Sequence, residues 1–211
     1  MSVKKPLILF DIDGTLIDTL KVVKNHFLNF AKVFKVTPDK VEQVFKSYLS
    51  SLDNSTDFSP AGCIAYLAEY HQADANQVES IFYHSDNFGS VLFPESRKVL
   101  QKLQAEQYTL GIFSEGFADF QERKLTENNI LDFFYPEYRY ILRRKMDTKL
   151  IESLPENTII IDDKTTVITF LEKFPNIIPL HIVREVNSPT GEYTLSSLND
   201  LFPILAQLSN S

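Results

Sequence analysis

The sequence is almost without cysteine. Cys63 is its one thiol, so an internal disulfide and a cysteine-built metal cluster are both excluded, in keeping with a reducing compartment. Positive charge is also short, since 21 lysines and arginines against 28 acids leave a net charge of −7. No basic field exists to collect a phosphate backbone, so no nucleic-acid partner is expected. A small anionic substrate stays open, because a local pocket of lysine, backbone N–H groups and metal can outweigh a negative surface. Long apolar runs are missing as well. The run near the start, residues 7–10, has four members, too few for a signal-peptide core or a membrane span. The expected location is cytoplasmic, with no membrane partner. His26, His71, His84 and His181 are scattered without metal-ligand spacing. No repeat, low-complexity tract or long linker is visible.

What is present fits a globular protein with a sizeable core: 44% of residues are apolar and 23% charged. Short apolar runs occur at residues 6–10, 108–113, 158–161 and 177–183. They are near-continuous rather than alternating, as expected of parallel strands covered on both faces. Between the first two runs the period changes to helical. Leu20, Val23, Phe27, Phe30 and Phe34 share one helical face, as do Val41, Val44, Phe45, Tyr48 and Leu49 after a Thr-Pro-Asp start signal. The aromatic stripe reads as the interior of a helical module. Two more helical segments follow near residues 60–71 and 75–85, with a polar loop at 54–59. Cys63 reads as a small buried residue rather than a nucleophile. Helices are expected at about 94–107 and 195–208. The expected architecture is α/β: a Rossmann-like parallel-sheet core, residues 1–18 and 92–211, with an inserted α-helical, four-helix cap at 19–91.

Open parallel sheets bind ligands beyond the carboxyl ends of their strands. The first run is followed by Asp11-Ile12-Asp13-Gly14-Thr15-Leu16, the second by Ser114-Glu115-Gly116, the third by Asp162-Asp163-Lys164. Residues two apart on an extended end point the same way, so Asp11 and Asp13 repel unless a cation intervenes or one is protonated. A hard cation such as Mg²⁺ would resolve this, with Asp163 or Asp162 adding an oxygen. One carboxylate can then attack a phosphoryl group while the other exchanges protons with the leaving oxygen and water. Gly14 permits a tight turn, and the Thr15 hydroxyl can pin it.

At these residues the chain resembles the haloacid dehalogenase-like hydrolases. Asp11 to Leu16 fits their first motif at every defining position. The resemblance implies Asp11 as nucleophile, Asp13 as general acid/base, and Mg²⁺ held by the Asp11 carboxylate and the Asp13 carbonyl. Ser114 looks like the second motif, whose hydroxyl and neighbouring N–H groups hold the phosphoryl group. Gly111 to Gly116, Gln121, Lys124, Leu125 and residues 131–134 are similar to capped nucleotidase-like and sugar-phosphatase-like members. Those usually carry Thr-Asn-Gly where this chain has Ser114, Glu115 and Gly116. Lys145 matches the motif lysine, with Lys149 as competitor and Met146 where proline is common. Lys124 is placed on the helix after Ser114. Asp162 and Asp163 look like the paired-acid fourth motif, although its later acid is Val167 here.

Plainer readings stand beside these. The Asp11–Thr15 run could be a calcium loop, but the acids such a loop needs further on are absent. Ser114 could be a helix N-cap and Asp162 a structural cap. Lys145, beside Arg143 and Arg144, could belong to a solvated basic patch. The expected function is magnesium-dependent hydrolysis of a small phosphorylated metabolite, with the cap closing over the site. Dehalogenase-like and phosphonatase-like members lack an acid at the position of Asp13. A phosphosugar mutase and a catalytically weak phospho-ligand-binding scaffold are the alternatives.

Overall fold

The computed structural model describes residues 5–53, 57–184 and 193–208. Residues 54–56 of the expected polar loop lie outside them. The chain divides into two compact units, residues 1–18 with 92–211, and residues 19–91.

The first unit is a parallel sheet. Its strands are β1 (Leu7–Phe10), β2 (Thr109–Glu115), β3 (Arg139–Leu142), β4 (Thr158–Asp162), β5 (Ile177–Ile182) and β6 (Thr194–Leu195). Their order is β3-β2-β1-β4-β5-β6, with every pairing parallel. The four apolar runs form the four inner strands. β1 and β4 are buried along their whole length, because helices cover both faces of a parallel sheet. On one face Leu7, Leu9, Phe113 and Ile160 pack against Ile151, Val167 and Leu171, which come from α7 (Thr148–Ser153) and α8 (Thr165–Leu171). Cutting one such leucine to alanine costs about 2–5 kcal/mol.

Two strands go beyond the expected four. β3 is an edge strand whose residues are all half-buried, so the sequence Arg-Tyr-Ile-Leu carries little apolar signal. β6 has two residues and borders β5. It occupies the start of the expected final helix, which is instead α9, Leu201–Leu208. β2 ends two residues later than expected and includes Ser114 and Glu115; β4 ends one residue later and includes Asp162. The unit also contains α5 (Ser96–Ala105) and α6 (Ala118–Glu127).

The second unit is helical: α1 (Thr19–Phe34), α2 (Pro38–Ser50), α3 (Pro60–His71) and α4 (Ala75–Phe82). Thr37, Ser59 and Asp74 accept backbone N–H bonds at the starts of the last three. The inward face of α1 differs from the expected stripe. Val22, His26 and Phe30 are buried, whereas Leu20 is 81% exposed. His26 was unreadable as core because a histidine breaks an apolar count; here each ring nitrogen faces a carbonyl, of Val22 at 2.8 Å and Phe82 at 3.0 Å. Phe27 packs edge-on against Phe45, and Phe34 stacks on His71. Cys63 is fully buried, and burial pushes its thiol up to about 12. No helix among the described residues is long and apolar enough to cross a membrane.

Candidate active site

The site grows from the carboxyl end of β1. Asp11 still pairs with the sheet, its N–H donating to Ile161 O at 2.9 Å, and then the chain turns. Gly14 takes φ +76°, a conformation open to glycine. A Cβ there would also collide with the Asp163 carboxylate. The turn closes through Gly14 N–H to Ile17 O at 2.9 Å, and through Leu16 and Ile17 N–H to Ile12 O. The Thr15 hydroxyl does not pin it, correcting that expectation: Thr15 Oγ1 is buried with no partner among the described residues. Arg184, which follows β5, grips the turn instead. Its guanidinium donates to the carbonyls of Gly14 and Thr15, pairs with Glu95 and lies 3.7 Å over the Phe93 ring. A cation reaching this turn from residue 184 carries no local sequence signal.

Asp11, Asp162 and Asp163 present oxygens within 4.8 Å of one another. Lys145 enters this cluster with its side chain 1% exposed, its ammonium 3.0 Å from Asp11 Oδ1 and bonded to Asp162 Oδ2. The basic-patch reading fails for this residue. Burial by itself would lower the lysine's pKa, but the Asp11 and Asp162 charges outweigh it and hold the ammonium above the usual lysine range. Asp162 and Asp163 are both raised, first by burial and then by the charge of Asp11. Lys149, the competing lysine, is exposed on α7.

The pair Asp162-Asp163 divides in role. Asp162 is committed on both oxygens, to Lys145 and to the Lys164 N–H at 2.9 Å, so it caps the loop as well as pairing. Asp163 Oδ1 is buried without a partner among the described residues. Three carboxylates facing one ammonium leave an excess of negative charge around an orphaned oxygen, and this donor set fits a divalent, oxygen-seeking cation.

Asp13 is served separately. Its carboxylate receives the Lys124 ammonium at 2.7 Å on each oxygen and Gln121 Nε2 at 2.9 Å on Oδ2. The expected clash of Asp11 with Asp13 is thus met by two ammonium groups, one for each carboxylate. Lys124 does lie on α6, as expected, but buried. The signal for its partner was the i, i+3 spacing of Gln121 and Lys124, which puts both on one helix face.

At the end of β2, Ser114 is 1% exposed. Glu115 does not face outward: Oε2 accepts the Lys145 N–H at 3.1 Å, and its carbonyl accepts Gln121 Nε2 at 2.9 Å. Gly116, whose N–H donates to Leu142 O, closes the strand end.

The model of the haloacid dehalogenase-like hydrolase family matches residues 8–168. The chain belongs to that family. Among solved structures, the HAD-hydrolase YfnB from Bacillus subtilis, bound to magnesium, is 18% identical over 96% of this chain and 99% of that one, with TM-score 0.63. A HAD phosphatase from Thermococcus onnurineus is 17% identical over 95% and 97%, TM-score 0.61. A putative β-phosphoglucomutase from Thermotoga maritima is 14% identical over 96% and 99%, TM-score 0.63. At such identities the likeness is one of fold. No curated protein matches the chain.

Proposed function

We propose that this haloacid dehalogenase-like hydrolase is a magnesium-dependent phosphatase of small phosphomonoesters. The observation that carries the reading is the separate provision for two carboxylates two residues apart: Asp11 among Lys145, Asp162 and Asp163, and Asp13 under Lys124 and Gln121. A nucleophile and an acid/base need such unlike surroundings. The magnesium-bound YfnB structure and the Thermococcus onnurineus phosphatase are in keeping with it.

In this reading an Asp11 oxygen attacks phosphorus. Its new bond forms as the ester P–O bond breaks, and Asp13 gives a proton to the departing oxygen. Water then attacks the aspartyl phosphate and loses a proton to Asp13, which frees phosphate and restores Asp11. Lys145 holds Asp11 in place and neutralises charge, while the Ser114 and the unpartnered Thr15 hydroxyls offer donors to the phosphoryl oxygens; the Gly116 N–H is already given to Leu142 O. Glu115 serves through the lysine loop rather than by touching substrate. The metal would be held by Asp11, Asp163 and the Asp13 carbonyl. When bound, magnesium supplies positive charge to the transferring phosphoryl group.

The test is phosphate release from nucleoside monophosphates, sugar phosphates and an aryl phosphate, with Mg²⁺ or chelator, beside Asp11→Asn. Metal-dependent release lost in Asp11→Asn is expected. Sugar-phosphate isomerisation without release would assign a mutase, and no turnover by folded protein would leave a binding scaffold.

A further inference from the structure

The mechanism so far leaves one buried cation without a task. Lys124 sits on α6 with its side chain 4% exposed, and its ammonium is aimed at the Asp13 carboxylate, which is 26% exposed. Burying an ammonium is costly, and an apolar side chain of similar volume would pack at least as well. Gln121 shows the same priority. Its Nε2 donates to Asp13 Oδ2 at 2.9 Å and Glu115 O at 2.9 Å, and lies 3.5 Å from Ser114 Oγ. Meanwhile its Oε1 is buried with no partner among the described residues. Rotating the amide would bring that oxygen against the Asp13 carboxylate, so the donor must face the aspartate and the acceptor is left unsatisfied. Gly116 completes the arrangement: at φ +152° a Cβ would come within 2.9 Å of Gln121 Nε2. Stability alone favours none of these three choices.

We propose that Lys124 and Gln121 are positioning residues that fix the Asp13 carboxylate for proton exchange with the leaving oxygen. The inference rests on the phosphatase reading above. Geometry supplies the reason: the ammonium spans both oxygens, so one oxygen can turn to the substrate while the other stays tied. Gln121 links the same carboxylate to the Glu115 carbonyl at the end of β2, joining the acid/base to the strand that carries Ser114. The Asp13 carboxylate is outside the group formed by Asp11, Asp162 and Asp163. The clamp therefore bonds the Asp13 carboxylate and not those of Asp11, Asp162 or Asp163.

The experiment uses the leaving group as its probe. A p-nitrophenolate leaves without help from an acid, whereas an alkoxide needs a proton. Lys124→Met is expected to lower kcat/KM, which reports the steps through departure of the leaving group, by about 100-fold or more for an alkyl phosphomonoester and by about 10-fold or less for p-nitrophenyl phosphate. Gln121→Ala, which disturbs packing less, should show the same direction at about one tenth the size, and Lys124→Arg should recover part of the alkyl ester rate. Mg²⁺ affinity by calorimetry should stay within about twofold in each folded variant. Equal losses of kcat/KM on both esters, or none, would overturn the inference while the phosphatase reading stands. If Lys124→Met does not fold, the Gln121→Ala ratio decides alone. Wild-type protein inactive on both esters would bring down the reading and the inference together.

Discussion

The Lys145 ammonium lies 3.0 Å from Asp11 Oδ1 while bonding Asp162 on its other side. One buried cation thus ties the end of β1 to the end of β4. Lys145→Met should lower metal-dependent phosphate release by about 100- to 1,000-fold. It should also destabilise the fold by about 3–5 kcal/mol, since Asp162 is left buried without its partner. Adding Asp162→Asn should restore part of the melting temperature but none of the turnover. Recovery of both would reduce Lys145 to a structural role.

Glu115 gives a second separation. Its carboxylate accepts the Lys145 N–H at 3.1 Å, so it shapes the loop that delivers the lysine. Glu115→Gln keeps an acceptor and should stay within about threefold of wild-type kcat. Glu115→Ala leaves the N–H without that bond and should cost about 1 kcal/mol of stability with a larger fall in kcat than in KM. A change in KM alone would make Glu115 a substrate contact.

The sheet core was legible because its central strands β1, β2 and β4 are buried on both faces and write themselves as apolar runs; β3, half-buried at an edge, wrote no such run. The acids were legible because they end those runs. What the sequence hid was pairing at a distance. Lys145 and Lys149 look alike in the chain, and only burial separates them. Lys124 meets Asp13 across 111 positions and Arg184 meets Thr15 across 169, and no local pattern encodes either contact. Leu20 was misjudged for a related reason: helical period sets which residues share a face, and tertiary packing sets which face is buried.

Cys63 offers a quick check on the helical unit. Burial pushes its thiol up to about 12 and leaves it fully covered, so thiolate is scarce at pH 8. A disulfide reagent should label no thiol in native protein and one in denaturant. Rapid native labelling would mean that α3 is not packed as described.

Asp163 and Asp162 should differ in metal binding. Asp163 Oδ1 lacks a partner among the described residues, whereas both Asp162 oxygens are engaged. By calorimetry, Asp163→Ala should weaken Mg²⁺ binding by about 10-fold or more. Asp162→Asn should lower melting temperature more than metal affinity. The reverse ranking would move the open oxygen to Asp162.

Glu95 links this site to acid stability. Burial raises its pKa, but the hydrogen bond and charge of Arg184, with the Leu198 N–H, outweigh burial and hold the carboxyl below the ordinary glutamate value of 4.5. The unfolded chain then binds this proton more readily than the folded one, so stability rises with pH across the interval. The contribution is complete above the unfolded value and is lost as pH falls through the folded one. Glu95→Gln should cost about 1–3 kcal/mol at pH 7, and the gap from wild type should narrow as pH falls below the ordinary glutamate value of 4.5. Because Arg184 also holds the Gly14 and Thr15 carbonyls, Arg184→Met should lower both melting temperature and turnover. A melting curve for Glu95→Gln parallel to wild type from pH 7 to pH 3 would show that the pair does not carry this acid sensitivity.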